Sequence, residues 1–248
     1  MNSTVSTGRT ALVTGGSRGI GAATALRLAR DGADVALTYV QDEQGAREVV
    51  RTIEATGRRA IALRADAADP EAAASVVHRA AETFGRLDIL VNNAGIGVLG
   101  PIGTLTPADV DRVLAVNVRA VFLACRAAAE VMERGGRIIS LGTALSRHAG
   151  GPGGTLYAMS KSALCGLTKP LARELGPRGI TVNLVQPGAV DTDLNPADGP
   201  FAQGQRAANA LDRFGTTAEV AALIAYLAGA EAAFVTGAEL TVDGGHSA

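Results

Sequence analysis

Tyr157 and Lys161 stand four residues apart in the run Tyr157-Ala158-Met159-Ser160-Lys161. On a helix that spacing puts both side chains on one face. A free tyrosine, with a pKa of about 10, is a poor proton donor near neutrality. A neighbouring ammonium stabilises the phenolate and brings that pKa down. Tyr157 could then exchange a proton with a hydroxyl or carbonyl oxygen. The pair alone is weak evidence, since any surface helix can carry it by chance.

A second group of residues could hold phosphate. Thr14-Gly15-Gly16-Ser17-Arg18-Gly19-Ile20-Gly21 follows a β-branched run and opens a helical pattern. Its glycines at 15, 19 and 21 are spaced more loosely than G-x-G-x-x-G, but their physical job is similar. Gly15 permits the tight turn, Gly19 lets backbone approach a pyrophosphate, and Gly21 lets helix and sheet pack closely. The helix N-terminus offers free N–H groups and the positive end of its dipole. In an NAD site an acid about 20 positions on holds the ribose 2′-OH. Here the second strand ends at Thr38-Tyr39, and the first acid, Asp42, is already in the next helix. Arg18 stands in the turn, able to pair with a 2′-phosphate. The combination favours NADP(H).

These residues need a scaffold, and the chain's pattern describes one. Short β-branched runs at 10–14, Asp34–Tyr39, Ala60–Arg64, 87–91, Arg137–Leu141, 180–186 and Glu239–Val242 read as strands. Helical patterns lie between them at 19–31, 42–55, Pro70–Phe84, 106–134, Thr155–Leu175 and Thr217–Ala228, with an interruption expected near Asn117. Alternating strands and helices imply parallel strands joined by right-handed crossovers. Runs such as IALRA and DILVN are apolar on both faces, as a buried parallel sheet requires. The fold class is therefore α/β: a doubly wound parallel sheet, Rossmann-like, with helices on both faces. With 248 residues, no linker and no internal repeat, one domain over 1–248 is expected. Hydrophobic residues at 47% and charged residues at 19% exclude a disordered chain, and 3% aromatics leave Ala, Val, Leu and Ile to build the core. A net charge of −1 without a basic stripe argues against nucleic acid. Apolar stretches are broken by Arg119 and Arg126, which argues against a membrane span. Two isolated cysteines, Cys125 and Cys165, form neither a disulfide framework nor a metal site and are expected to be buried thiols. With no apolar signal region at the N-terminus, a cytoplasmic location is expected.

Taken together, these blocks resemble the short-chain dehydrogenase/reductase family, in its shorter form. The resemblance runs from about residue 10 to 245. It includes 14–21, Asn92-Asn93-Ala94-Gly95, Asn117, Tyr157 with Lys161, Pro187-Gly188, and the closing Val235-Thr236-Gly237 through Asp243-Gly244-Gly245. The chain looks most like the 3-oxoacyl-acyl-carrier-protein reductase and ketoreductase branch. The resemblance implies an NADP(H)-dependent oxidoreductase that reduces a carbonyl to an alcohol. Asp66, with Ala67 beside it, would bond the adenine, and Asn93, Ala94 and Gly95 would line the adenosine ribose. Ser17, Ile20 and Tyr39 complete that half of the set. Lys161 would bond the nicotinamide ribose as well as tune Tyr157. Asn117 would hold a water in a proton relay. Pro187, Gly188 and Val190 would pass beneath the nicotinamide, and Thr192 would contact its amide or the phosphates.

One position departs from the family pattern. The serine that normally follows strand five is replaced by Thr143, 14 residues before Tyr157. A threonine hydroxyl donates the same hydrogen bond, while its methyl stiffens χ1 and crowds the pocket. Thr143 is taken as the substitute, completing the catalytic set of Asn117, Thr143, Tyr157 and Lys161. The same departure keeps a second reading open: an NADP(H)-binding regulator with little turnover. The segment 147–154 reads as a loop, with His148 exposed in it. Residues 195–210 stand where the family carries a substrate lid. Neither His78 nor His246 suggests a metal site. Arg147 and Arg206 are weak candidates for an acyl-carrier surface. The resemblance implies a homotetramer, with a dimer also admissible.

Overall fold

The computed structural model describes residues 8–148 and 151–248. Residues 1–7 and positions 149–150 of the expected loop lie outside the described residues. The chain forms β1 (Thr10–Val13), α1 (Gly19–Arg30), β2 (Asp34–Tyr39), α2 (Glu43–Glu54), β3 (Ala60–Arg64), α3 (Pro70–Phe84) and β4 (Ile89–Asn92). It continues with α4 (Pro107–Leu114), α5 (Ala120–Val131), β5 (Arg137–Leu141), α6 (Thr155–Leu175), β6 (Thr181–Pro187), α7 (Ala202–Ala207), α8 (Thr217–Ala228) and β7 (Glu239–Val242).

The strands make one sheet in the order β3-β2-β1-β4-β5-β6-β7, and every pairing is parallel. Alternation along the strands divides their side chains between two cores. Ala11 and Val13 of β1 face one core with α1, α2 and α8; Leu12 faces the other with α3, α5 and α6. Both cores are almost wholly aliphatic. After β3 the chain crosses to the other side of β1 to form β4. A crevice therefore opens beyond the carboxyl ends of β1 and β4, the switch point where such sheets bind ligands.

The elements match the expected architecture, with local differences. β4 begins at Ile89, two residues late, because the Asp88 carboxylate accepts the Thr10 N–H at 2.8 Å in place of a backbone partner. The expected interruption at Asn117 is a π-helical turn, Ala115–Arg119, between α4 and α5. The turn-rich segment 195–210 contains the short helix α7. Cys125 is buried, but Cys165 is only half-buried. Its sulfur accepts from Gln186 Nε2 at 3.5 Å and lies beside Glu239, so it packs against the core on one side and meets a polar network on the other. Among the described residues no helix is long and apolar enough to cross a membrane.

Candidate active site

The glycine turn after β1 is held from both sides. Thr38, at the end of β2, accepts the Gly15 N–H on Oγ1 and the Gly16 N–H on its carbonyl, both at 2.9 Å. Asn93, just past β4, donates Nδ2 to the carbonyls of Thr14 and Gly15, each at 2.9 Å. Thr14 Oγ1 accepts the Asn93 and Ala94 N–H groups at 3.0 Å. Gly15 and Gly19 have φ of +65° and +58°, a region that glycine enters without strain. A Cβ on Gly21 would stand 2.1 Å from Gly15 O, so helix and turn approach too closely for any side chain.

Above this turn the structure leaves a cradle that fits a dinucleotide phosphate. Asp42, Asp69, Thr106 and Thr216 cap α2, α3, α4 and α8 with their side chains. By contrast α1 has no side-chain cap and no acid in its first turn. Its N–H groups and its dipole remain available to an anion. A Cβ on Gly19 would meet only Thr192, at 3.6 Å. A hollow lined by Thr14, Thr38, Ala67 and Ala94 opens beside the turn. Tyr39 is half-buried at its β2 edge, and Ser17 and Ile20 are half-buried in the turn and α1. Arg18 is exposed and forms a 3.6 Å ion pair with Asp193.

At the other end of the crevice the expected catalytic residues converge. Lys161 is buried, and its Nζ donates to the Leu141 carbonyl at 2.8 Å. Burial lowers its pKa from 10.5 to about 8. Burial likewise raises the pKa of Tyr157, and a hydrogen bond with the Thr143 side chain partly offsets the rise. The Lys161 ammonium is turned to Leu141 O, and the Thr143 side chain is the neighbour that eases ionisation of the phenol. Thr143 Oγ1 also accepts the Leu145 N–H at 3.3 Å and starts a short 3₁₀ turn, Ala144–Ser146. Ser140 lies within β5 and accepts from Asn92 Nδ2 at 3.2 Å, away from Tyr157.

Asn117 is fully buried in the π turn. Its Oδ1 accepts the Ile96 N–H, and its Nδ2 donates to Ile96 O and to Ser160 Oγ, each at 2.9 Å. Ser160 in turn donates to Tyr157 O at 2.8 Å. Both amide hydrogens of Asn117 are therefore committed to protein, leaving one lone pair on Oδ1 for a water. Lys161 Nζ and Asn117 Oδ1 stand 3.0 and 3.3 Å from where a Gly95 Cβ would lie, so glycine at 95 keeps the space between them. Ser160 was missed by the sequence reading, as were Thr14 and Thr38. A hydroxyl three residues after Tyr157 on a buried helical face was the available signal.

The remaining residues are partly as expected. Gly188 packs against Asp243, whose Cα would be 2.7 Å from a Cβ there. Val190 is buried and bridged to Gly215. Asp66 is exposed at the end of β3, with Oδ1 accepting the Ala68 N–H at 2.9 Å. Arg147 is tied to Gln186 Oε1 at 2.7 Å and to Glu239 at 3.2 Å, and Arg206 donates to Ala197 O at 2.5 Å. Both guanidinium groups are exposed. His148 is exposed and meets His246 edge to face, with ring centroids 5.2 Å apart. Among the described residues no three His, Cys, Asp or Glu side chains gather as a metal site.

A parallel doubly wound sheet, a bare helix N-terminus after β1 and a Tyr–Lys pair facing a hydroxyl beyond β5 define a nicotinamide-dependent oxidoreductase class. The chain belongs to the short-chain dehydrogenase/reductase family, acting on CH–OH and C=O groups. Residues 15–247 match the family model described as enoyl-(acyl carrier protein) reductase. A short chain dehydrogenase from Burkholderia cenocepacia, solved in complex with NADP, is 56% identical with a TM-score of 0.97, covering 98% of this chain and 99% of that one. The cyclic-di-GMP-binding biofilm dispersal mediator protein of Escherichia coli is 46% identical over 98% of both chains. A 3-oxoacyl-[acyl-carrier-protein] reductase of Staphylococcus aureus is 38% identical, over 96% of this chain and 97% of its own length.

Proposed function

We propose that this chain is an NADP(H)-dependent reductase of a ketone or 3-oxoacyl-type carbonyl, working reversibly. The observation that carries the reading is the convergence of the Thr143 side chain, near enough to ease ionisation of the Tyr157 phenol, with Tyr157 and buried Lys161 on α6. The reduced nicotinamide, when bound, supplies the hydride. Arg18 and the α1 N-terminus hold the phosphates. Thr143 and Tyr157 together grip the substrate oxygen, and Tyr157 gives it a proton as the alcohol forms. Lys161 holds the nicotinamide ribose, and its charge then favours the phenolate left behind. Asn117 and Ser160 fix the helix turn that carries Tyr157. Residues 195–210 act as a lid that excludes water from the closed site. Exposed Phe122, Tyr226 and Phe234 support assembly into a homotetramer or dimer.

The test is NADPH consumption with acetoacetyl thioesters, diketones and cyclic ketones, with NADH as control. Tyr157→Phe is expected to lower kcat by about 10²–10⁴-fold and to leave NADPH affinity within about twofold. Full activity in that variant refutes the proton-transfer role. A second reading, an NADP(H)-binding regulator, draws support from the 46% identity to the Escherichia coli dispersal mediator. NADPH binding without turnover of any carbonyl in the panel favours it.

A further inference from the structure

Arg18 has one anionic partner within the chain, Asp193, and on the proposed reading a second in the cofactor. On the cofactor side, the glycine turn that carries it is bound to the end of β2 through Thr38. That is where a dinucleotide site presents the adenosine ribose. On the opposite side, Arg18 pairs with Asp193 at 3.6 Å. Neighbouring Thr192 comes within 3.6 Å of the Gly19 Cβ position, so the two segments close on each other across the phosphate cradle. Asp193 belongs to a tight turn in which Thr192 and Asn195 exchange backbone hydrogen bonds. Asn195 Nδ2 donates to Gln205 Oε1 of α7 at 2.8 Å. Asp191 accepts the Ala197 N–H at 3.0 Å. This turn is therefore the base of the 195–210 segment. Among the described residues, Arg18–Asp193 is the ion pair that joins the glycine turn to it.

We infer that Asp193 is a cofactor-discriminating residue, which competes with the 2′-phosphate of NADP(H) for the Arg18 guanidinium. The inference rests on the proposed NADP(H) reading. A phosphomonoester carries a charge of about −1.5 to −2 at pH 7. When it engages Arg18, the Asp193 ion pair must break or be shared, and the carboxylate then repels the arriving phosphate. A cofactor without that phosphate leaves the pair intact. Asp193 thus weakens binding of the phosphorylated cofactor selectively and lowers the preference that Arg18 creates. Both side chains are well exposed, at 69% and 74%. The effect is accordingly modest and is screened by salt.

The experiment measures NADPH and NADH dissociation constants by the fluorescence of the bound nicotinamide, at low and high salt. It compares the wild type, Asp193→Asn, Asp193→Glu, Arg18→Ala and the Arg18→Ala/Asp193→Asn double variant. Asp193→Asn is expected to tighten NADPH by about two- to fivefold at low salt and to leave NADH unchanged. Asp193→Glu restores the wild-type value. In the Arg18→Ala background the Asp193→Asn effect falls below about twofold. An unchanged NADPH affinity in Asp193→Asn, or an equal shift for both cofactors, overturns the competition. Equal wild-type affinities for NADPH and NADH refute the NADP(H) preference itself, a separate failure read from the unmutated protein.

Discussion

Lys161 brings an ammonium into the protein interior with one protein acceptor, Leu141 O at 2.8 Å, and among the described residues no carboxylate pairs with it. Burial lowers its pKa from 10.5 to about 8. Between those two values the unfolded chain holds a proton that the folded chain has released. Stability therefore rises with pH across this window, because the unfolded state binds more protons there. Below about pH 8 the lysine is charged in both states and the burial cost is present in full. The displacement corresponds to about 3 kcal/mol, accruing at about 1.4 kcal/mol per pH unit. Lys161→Met keeps the aliphatic stem and removes the titration. The difference in unfolding free energy between wild type and variant is expected to move toward the wild type by about 2–3 kcal/mol from pH 7 to pH ~10. Subtracting the variant cancels the other titrating groups. Urea unfolding of both proteins, followed by far-ultraviolet circular dichroism since the chain has no tryptophan, measures it. A difference that stays flat with pH, or that falls, refutes the argument that Lys161 is held against its desolvation.

Two further substitutions probe the scaffold of the site. Gly21→Ala places a methyl 2.1 Å from Gly15 O and 2.6 Å from Asn93 Nδ2, so the turn must open. A loss of about 1–3 kcal/mol in stability is expected, with NADPH affinity reduced at least as severely as in Arg18→Ala; fluorescence titration and urea unfolding check both. Ser160→Ala leaves one Asn117 amide hydrogen buried without a partner, at a cost of about 1–3 kcal/mol. Its turnover should fall while NADPH affinity holds, and restored turnover in Ser160→Thr would tie the loss to the hydroxyl.

The fold was legible because strand and helix periodicities agree with the turn residues along the chain. Gly32, Gly57 and Gly85 each follow a helix with φ of +101°, +80° and +82°, and Asp69-Pro70 opens α3 as its residue types suggest. The site was legible as a set of positions but less so as a set of roles. The side-chain amide of Asn93 also holds the carbonyls of Thr14 and Gly15, a role that its position after β4 does not announce. Asn117 keeps one Oδ1 lone pair for the expected water, but spacing does not show that Ile96 and Ser160 take both of its amide hydrogens. Spacing places Lys161 on the Tyr157 face of the helix but does not reveal that Leu141 O, 20 residues away, captures its ammonium. Such assignments depend on which strand end lies opposite which helix, and that is information carried by tertiary packing. Ser160, Thr14 and Thr38 went unread for the same reason: a hydroxyl in a helix or at a strand end has many local uses.

Side-chain caps are unevenly distributed: α1, α5, α6 and α7 have none, and at α1 the uncapped end lies at the glycine turn. Replacing a capping Ser, Thr, Asn or Asp by alanine typically costs about 1 kcal/mol, and α2, α3, α4 and α8 all have such a cap. At α1 the corresponding position is Arg18, which caps nothing and turns its charge outward. The absence of a cap would by itself weaken the helix. Here the turn is secured instead by Thr38 and Asn93, which bond Gly15 and Thr14 from the neighbouring strand ends. Rigidity supplied from β2 and β4 leaves the first-turn N–H groups of α1 uncommitted, and an anion can take them without displacing a side chain. Arg18 is then free to choose among anions, and Asp193 opposite it gives that choice a competitor within the chain.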